Sequence, residues 1–244
     1  MARLRKEGKL DLCLSPIYAA PESCIKLSFL NARSLHKHIN DVCADINFLS
    51  TDILSIFSET RFNRSDSDTM YAIGQHILFR NDAASLHNER PYGGTAVYTH
   101  IDYYPGYPYC RNQNGIEITV MRFMIIPHIT AVIAIYRPPA IPIRQLCSAL
   151  TELLALSSTT LKIFIGDFNV NWLNITERAT LYNLFITENH YQQLISRYTT
   201  DNKTCIDHIY TNIHKDKIQA NVWETYHVFC ALLKTQTDDI VSGQ

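Results

Sequence analysis

A layered α/β (α+β) sandwich is the fold this sequence predicts, two β-sheets packed on one another with helices outside. Three observations predict it. Short apolar runs of strand length recur along most of the chain. Several of these runs follow one another with no helical stretch between them, as two packed sheets require. Only three stretches have helical character, and hydrophobic residues make up 46% of the 244, enough for one substantial core.

Taken in order, residues 1–24 lack periodicity and are expected to be a disordered tail. Residues 25–30 read as a short strand. Leu35, Ile39, Val42 and Ile46 then recur at helical spacing, with Ser34 placed to cap the helix. Residues 52–57 form a compact apolar run suited to a buried strand, and 61–68 a polar loop. Further strands are expected at 75–79, 94–100, 117–126 and 129–136, the last ended by Pro138 and Pro139. A second helix is predicted over 143–156, a strand over 161–165, and a third helix over 176–189 with Thr176 as its cap. Strands at 206–212 and 226–233 complete the set, and 235–244 is a second tail. No repeat or linker divides the chain, so residues 25–234 are expected to form one domain.

The bulk numbers exclude several classes. Lys plus Arg total 22 against 23 for Asp plus Glu, so no global charge signals nucleic acid, and any such contact must rest on a local patch. Cys13, Cys24, Cys43, Cys110, Cys147, Cys205 and Cys230 are an odd, scattered set with no CxxC pair, which argues against a zinc cluster and a disulfide framework. Free thiols in a reducing compartment are expected, nucleus or cytoplasm. Residues 1–9 are basic, but the stretch 10–20 is broken by Asp11, Ser15 and Pro16 and resembles neither a secretion signal nor a membrane span. The sequons at Asn63, Asn174 and Asn202 therefore carry little weight.

The chemistry lies where strands end. The run 163–165 stops at Gly166-Asp167-Phe168-Asn169, and alternation puts Asp167 and Asn169 on one side. By itself this is common turn chemistry. Other strands end in Asn31, in Ser58-Glu59-Thr60, in Tyr136-Arg137-Pro138-Pro139 and next to Asp207-His208, while His227 leads into the last. Together they suit phosphodiester hydrolysis. Glu59 and Asn31 offer oxygen ligands to a hard divalent cation. Asp167 is placed to activate or orient water. Asn169, Tyr136 and a protonated His227 are candidate donors to the phosphate oxygens. Asp207 is suited to hold that imidazole in one tautomer.

This ordered set resembles the endonuclease/exonuclease/phosphatase superfamily, and is most similar to the apurinic-like endonuclease domain of non-LTR (LINE-type) retrotransposons. The resemblance rests on Leu30-Asn31-Ala32-Arg33-Ser34-Leu35, Ser58-Glu59-Thr60, the run 92–98, Tyr136-Arg137-Pro138-Pro139, Gly166-Asp167-Phe168-Asn169 and Cys205-Ile206-Asp207-His208-Ile209. It covers about residues 25–233. It implies a four-layer, DNase I-like sandwich of two mixed sheets flanked by helices. It also implies an Mg2+ (or Mn2+) dependent endonuclease that nicks double-stranded DNA for target-primed reverse transcription. In that scheme Glu59 is the main metal ligand with Asn31 beside it. Asp167 handles the water, Asn169 orients Asp167 and the phosphate, Tyr136 donates to the phosphate, and Asp207 pairs with His227. His208 is not the catalytic histidine. Arg61, Arg137, Thr200 and Asn202 are the expected nucleic-acid contacts. No reverse transcriptase domain follows within these residues, so the chain is expected to be a stand-alone copy, a truncated element or a domesticated remnant.

One departure stands out. Such domains close with Ser-Asp-His before the last core strand, whereas this chain reads Glu224-Thr225-Tyr226-His227-Val228. A carboxylate beside the metal and its waters is thus missing, which motivates the alternative of a degenerate, non-catalytic protein that keeps the fold. A phosphatase or phosphodiesterase of the same fold is the other alternative, against which Tyr136-Arg137-Pro138-Pro139 counts. Gly93-Gly94 reads as a strand-entry device rather than a phosphate cradle, since no helix follows it. The tyrosine-rich run 103–109 reads as a packed surface turn.

Overall fold

The computed structural model describes residues 24–44, 54–82, 92–103, 108–125, 128–155, 161–223 and 228–234. Two six-stranded sheets face each other. The first contains β1 (Cys24–Asn31), β2 (Leu54–Ser58), β3 (His76–Asn81), β4 (Thr95–His100), β11 (Ile218–Trp223) and β12 (Val228–Lys234), in the order β11-β12-β1-β2-β4-β3. The second contains β5 (Tyr109–Gln113), β6 (Ile116–Ile125), β7 (His128–Tyr136), β8 (Leu161–Asp167), β9 (Gln192–Gln193) and β10 (Asp207–Thr211), in the order β5-β6-β7-β8-β10-β9. Helices α1 (Leu35–Ala44), α2 (Ile143–Leu154) and α3 (Ile175–Leu181, continued by a π-helical turn Tyr182–Glu188) complete the layers.

Each sheet is mixed in the same way, with one parallel pair among antiparallel neighbours. β1 and β2 run parallel with α1 between them in sequence, and β7 and β8 run parallel with α2 between them. Parallel neighbours need such a crossover. The pairs stack: β1 lies against β8, and β2 against β7 and β8. Both pairs end together, with Asn31 in register with Ser58 and Tyr136 in register with Asp167. Four polar strand ends therefore meet at one edge of the sandwich.

The packing follows side-chain alternation. Ile25, Leu27, Phe29, Leu54, Ile56 and Val97 join the inter-sheet core, whereas Phe57, Ala96 and Tyr98 on the opposite face pack under Leu35, Ile39 and Val42 of α1. Leu146, Ala149, Leu150 and Leu153 make the buried stripe of α2. Burial of each large apolar side chain contributes about 1.5–3 kcal/mol, which holds the strand ends in place.

The predicted strands are present as β1–β4, β6–β8, β10 and β12 with shifted ends, and both sheets and their flanking helices match the predicted sandwich. Three strands were not predicted. β5 and β9 are edge strands with little buried surface, and β11 buries only alternate residues of a half-polar sequence. A 3-10 turn (Asp68–Tyr71) follows the expected polar loop, capped by Ser67. The third helix is capped by Asn174 rather than Thr176: the Asn174 side chain accepts from the amides of Thr176 (3.0 Å) and Glu177 (3.3 Å). Ser34 has φ +100°, and carbonyls of the β2 end take over at α1, Glu59 O accepting from Ser34 N (2.7 Å) and Thr60 O from His36 N (3.0 Å). The expected tails and the segment 224–227 lie outside the described residues. No helix among the described residues is long and apolar enough to cross a membrane.

Candidate active site

The edge where the two parallel pairs end carries a bridge between the sheets. Asn31, last in β1, donates through Nδ2 to Glu59 Oε1 (3.0 Å) and to Asp167 Oδ2 (2.8 Å). Its Oδ1 accepts from Arg33 N at 3.1 Å, which fixes the amide. One side chain thus joins a carboxylate from each sheet, 28 and 136 residues away in sequence.

The two carboxylates sit differently. Asp167 is buried, closes β8 and pairs in register with Asp207 of β10. Its Oδ1 accepts from Asn169 N at 2.9 Å, and Asn169 adopts φ +50°, a left-handed conformation that asparagine tolerates. The Asn169 amide donates to Arg137 O (2.8 Å). Burial pushes the Asp167 carboxyl up, with Glu59 adding to it and hydrogen bonds from Asn31 and Asn169 opposing. Asp207 is raised by burial and then by Asp167. Its Oδ1 has no partner among the described residues, while the hydroxyl of Thr199 accepts from its amide at 3.3 Å.

Glu59 is half-buried and has φ +53°, as has Arg61, whose guanidinium lies 3.5 Å from the Glu59 carboxylate and over the exposed ring of Tyr92. Two non-glycine residues in this conformation within three positions are strained, a pattern characteristic of functional sites. Tyr136 is buried with its hydroxyl unpaired among the described residues, and its ionisation is suppressed by burial and then by Glu59 and Asp167. A phenol beside two carboxylates stays protonated and is available as a donor.

Gly166 explains why the strand turns as it does. A Cβ there would lie 1.9 Å from Ile135 O of the neighbouring parallel strand, so no other residue fits at this point of β8.

The structure brings Asn31, Glu59, Tyr136, Asp167, Asn169 and Asp207 to this edge, whereas His227 lies outside the described residues. Arg137 is buried beneath the site. It is 5% exposed, and its guanidinium donates to the carbonyls of Phe168 (2.7 Å), Asn169 (2.6 Å) and Ile141. It clasps the Asp167 loop from within. Thr200 is bonded to Thr204 (2.7 Å) within its loop, and Asn202 is exposed at the tip. Arg61 is the expected contact that does lie at the mouth of the site.

His208 is fully buried and stacked on Phe168, with Nε2 against the carbonyls of Val170 (2.9 Å) and Cys205 (3.1 Å) and Nδ1 against Tyr210 OH (2.9 Å). Burial lowers its pKa to about 4, so it stays neutral and structural. Glu117 and Thr199 were missed as supporting residues. A charged residue inside the apolar run 116–120 was the available signal for Glu117; Thr199 lies in the loop where the resemblance places DNA contacts, but its bond to the Asp207 amide was not legible.

Two stacked mixed sheets, outer helices and a polar edge at the ends of both parallel pairs define the endonuclease/exonuclease/phosphatase (DNase I-like) fold. The human Nocturnin catalytic domain, solved with a bound sulfate anion, superposes with a TM-score of 0.65 at 10% identity, covering 89% of this chain and 97% of that one. The endonuclease domain of TRAS1, a telomere-specific non-LTR retrotransposon, gives 0.59 at 13% identity, covering 87% and 99%. D. rerio TDP2 complexed with a single-strand DNA product gives 0.58 at 13%, covering 86% and 99%. No protein-family model matches the chain, and no curated protein sequence does.

Proposed function

We propose that this chain is a divalent-metal-dependent endonuclease that hydrolyses a phosphodiester bond of double-stranded DNA, making the nick used in target-primed reverse transcription. The observation that carries the reading is the Asn31 amide, which holds Glu59 and Asp167 from opposite sheets at 3.0 and 2.8 Å. Neighbours of the same fold include a protein complexed with a DNA product and a retrotransposon endonuclease domain, and they support the choice of substrate.

The residues fit Mg2+ or Mn2+. Among the described residues no three His, Cys, Asp or Glu side chains form a metal cage. A hard ion of this kind is held through one or two protein oxygens, here Glu59 and Asn31, with water and substrate phosphate supplying the rest. Glu59 is the accessible carboxylate. Half a turn of the Asn31 amide presents Oδ1 instead of Nδ2 to the same point, an orientation a cation beside Glu59 favours. Glu59 raises the proton affinity of Asp167, and Asp167 and Glu59 raise that of Asp207, so a cation there relieves repulsion. When bound, the ion polarises the phosphate and neutralises developing charge.

The protein's own groups account for the remaining chemistry. Asp167, its basicity raised by burial, takes a proton from the attacking water or aims it. Asn169 fixes Asp167 through its main-chain N–H, and Tyr136 donates to a phosphate oxygen. Conversion of supercoiled plasmid to the nicked circle tests the proposal. Nicking that requires Mg2+ or Mn2+ and vanishes in Asp167→Ala is expected. Intact plasmid at high concentrations of metal and folded protein overturns it.

A further inference from the structure

Glu117 lies in β6 of the second sheet, one strand away from Tyr136, with which it is in register. It is 2% exposed, and its Oε1 accepts from the amide of Gly94 at 2.8 Å. Gly94 precedes β4 of the first sheet, so the contact ties the two sheets together at the edge that carries the site. From Gly94 the connection runs on through the main chain. Gly94 O accepts from Thr60 N (3.0 Å), and Gly93 O accepts from Arg61 N (2.9 Å). These bonds clamp the segment just after Glu59, where Glu59 and Arg61 both hold φ +53°. The fit is close: a Cβ on Gly94 would meet the Thr60 hydroxyl at 2.4 Å. Glu59 itself makes no bond to the second sheet except through Asn31 among the contacts described.

We infer that Glu117 is a positioning residue for the metal-binding carboxylate: through Gly94 and Gly93 it holds the strained Glu59-Thr60-Arg61 turn in the conformation that presents Glu59 to a divalent cation. The inference rests on Glu59 being the metal ligand, as proposed above. Its logic is that of an anchor one step behind a ligand, whose loss commonly lowers metal affinity about 10–100-fold without touching the metal. A strained turn relaxes when its clamp is removed, and Glu59 swings with it. Burial raises the Glu117 carboxyl to about 8, so at neutral pH it is a neutral acid that glutamine imitates closely. The acceptor oxygen, not the charge, is what the clamp needs.

Mn2+ binding to the whole chain, read by calorimetry alongside thermal melting, tests this without requiring catalysis. E59Q is the control on the metal reading: wild type must bind Mn2+ and E59Q must bind it at least about tenfold more weakly. If wild type and E59Q bind alike, the metal reading fails, whatever Glu117 does. With that control met, E117Q, which keeps the acceptor, is expected to bind Mn2+ as wild type does. E117L and E117D, which remove it or withdraw it by one methylene, are expected to lose about tenfold. E117D decides the matter if E117L fails to fold. Wild-type Mn2+ affinity in folded E117D or E117L overturns the inference, and so does a loss in E117Q equal to theirs.

Discussion

The two halves of the candidate site are held by opposite means. On the second sheet, Asp167 is buried, closes a strand at a glycine that admits no Cβ, and is backed by an arginine bonded to three carbonyls. On the first sheet, Glu59 has a side chain 17% exposed, lies one residue beyond its strand and is kept in a left-handed turn by main-chain bonds. Burial fixes a group and raises its proton affinity, which suits a residue that handles water. Partial exposure leaves a carboxylate open to an incoming ion and its waters, which suits a metal ligand. The Asn31 amide joins the two environments.

Breaking the buried half has the largest expected effect. Asp167→Ala is expected to slow metal-dependent nicking about a thousandfold, roughly 4 kcal/mol of barrier, in single-turnover plasmid assays. A rate within a few-fold of wild type would remove Asp167 from the chemistry. Gly166→Ala acts on folding instead. The clash with Ile135 O is expected to lower stability by about 4 kcal/mol in urea unfolding, and a wild-type midpoint would contradict the close approach of β8 to β7 at Gly166.

Arg137→Met separates a clasp from a DNA contact. Orphaning the carbonyls of Phe168, Asn169 and Ile141 is expected to lower stability by about 3 kcal/mol. The salt dependence of DNA binding should stay unchanged, because no phosphate contact is lost. A shallower salt slope at normal stability would make Arg137 the DNA contact expected from the sequence.

Much of this architecture was legible in the sequence. Strands with apolar runs ending at Asn31, Glu59, Tyr136 and Asp167 were readable because burial and chemistry fall at adjacent positions. Strands β5 and β9 were not, since edge strands bury little and write no pattern. The burial of Arg137 was not legible, because a sequence shows charge but not which way a guanidinium turns. Asn174 was passed over for Thr176 as the helix cap, since both residue types cap and only the fold decides.

Smaller effects sharpen the contrast. Glu117 has its folded value raised to about 8, so folding takes up a proton between the ordinary glutamate range and pH 8. Stability from this group is present at low pH and is lost as pH rises through that window. The melting temperature of E117Q should therefore gain on wild type from pH 5 to pH 8, and a constant gap would show that Glu117 titrates normally. Glu59→Gly is expected to raise stability by roughly 0.5–1 kcal/mol by relieving the positive φ, while abolishing metal-dependent nicking. A loss of stability instead would show that the turn at Glu59 is unstrained.

The division of labour between the halves is tested most directly by anomalous diffraction from crystals soaked in Mn2+. A single peak is expected against the Glu59 carboxylate, with the Asn31 amide turned to offer Oδ1 and Asp167 left free of the ion. A peak seated between Asp167 and Asp207 with Glu59 bare would contradict the account.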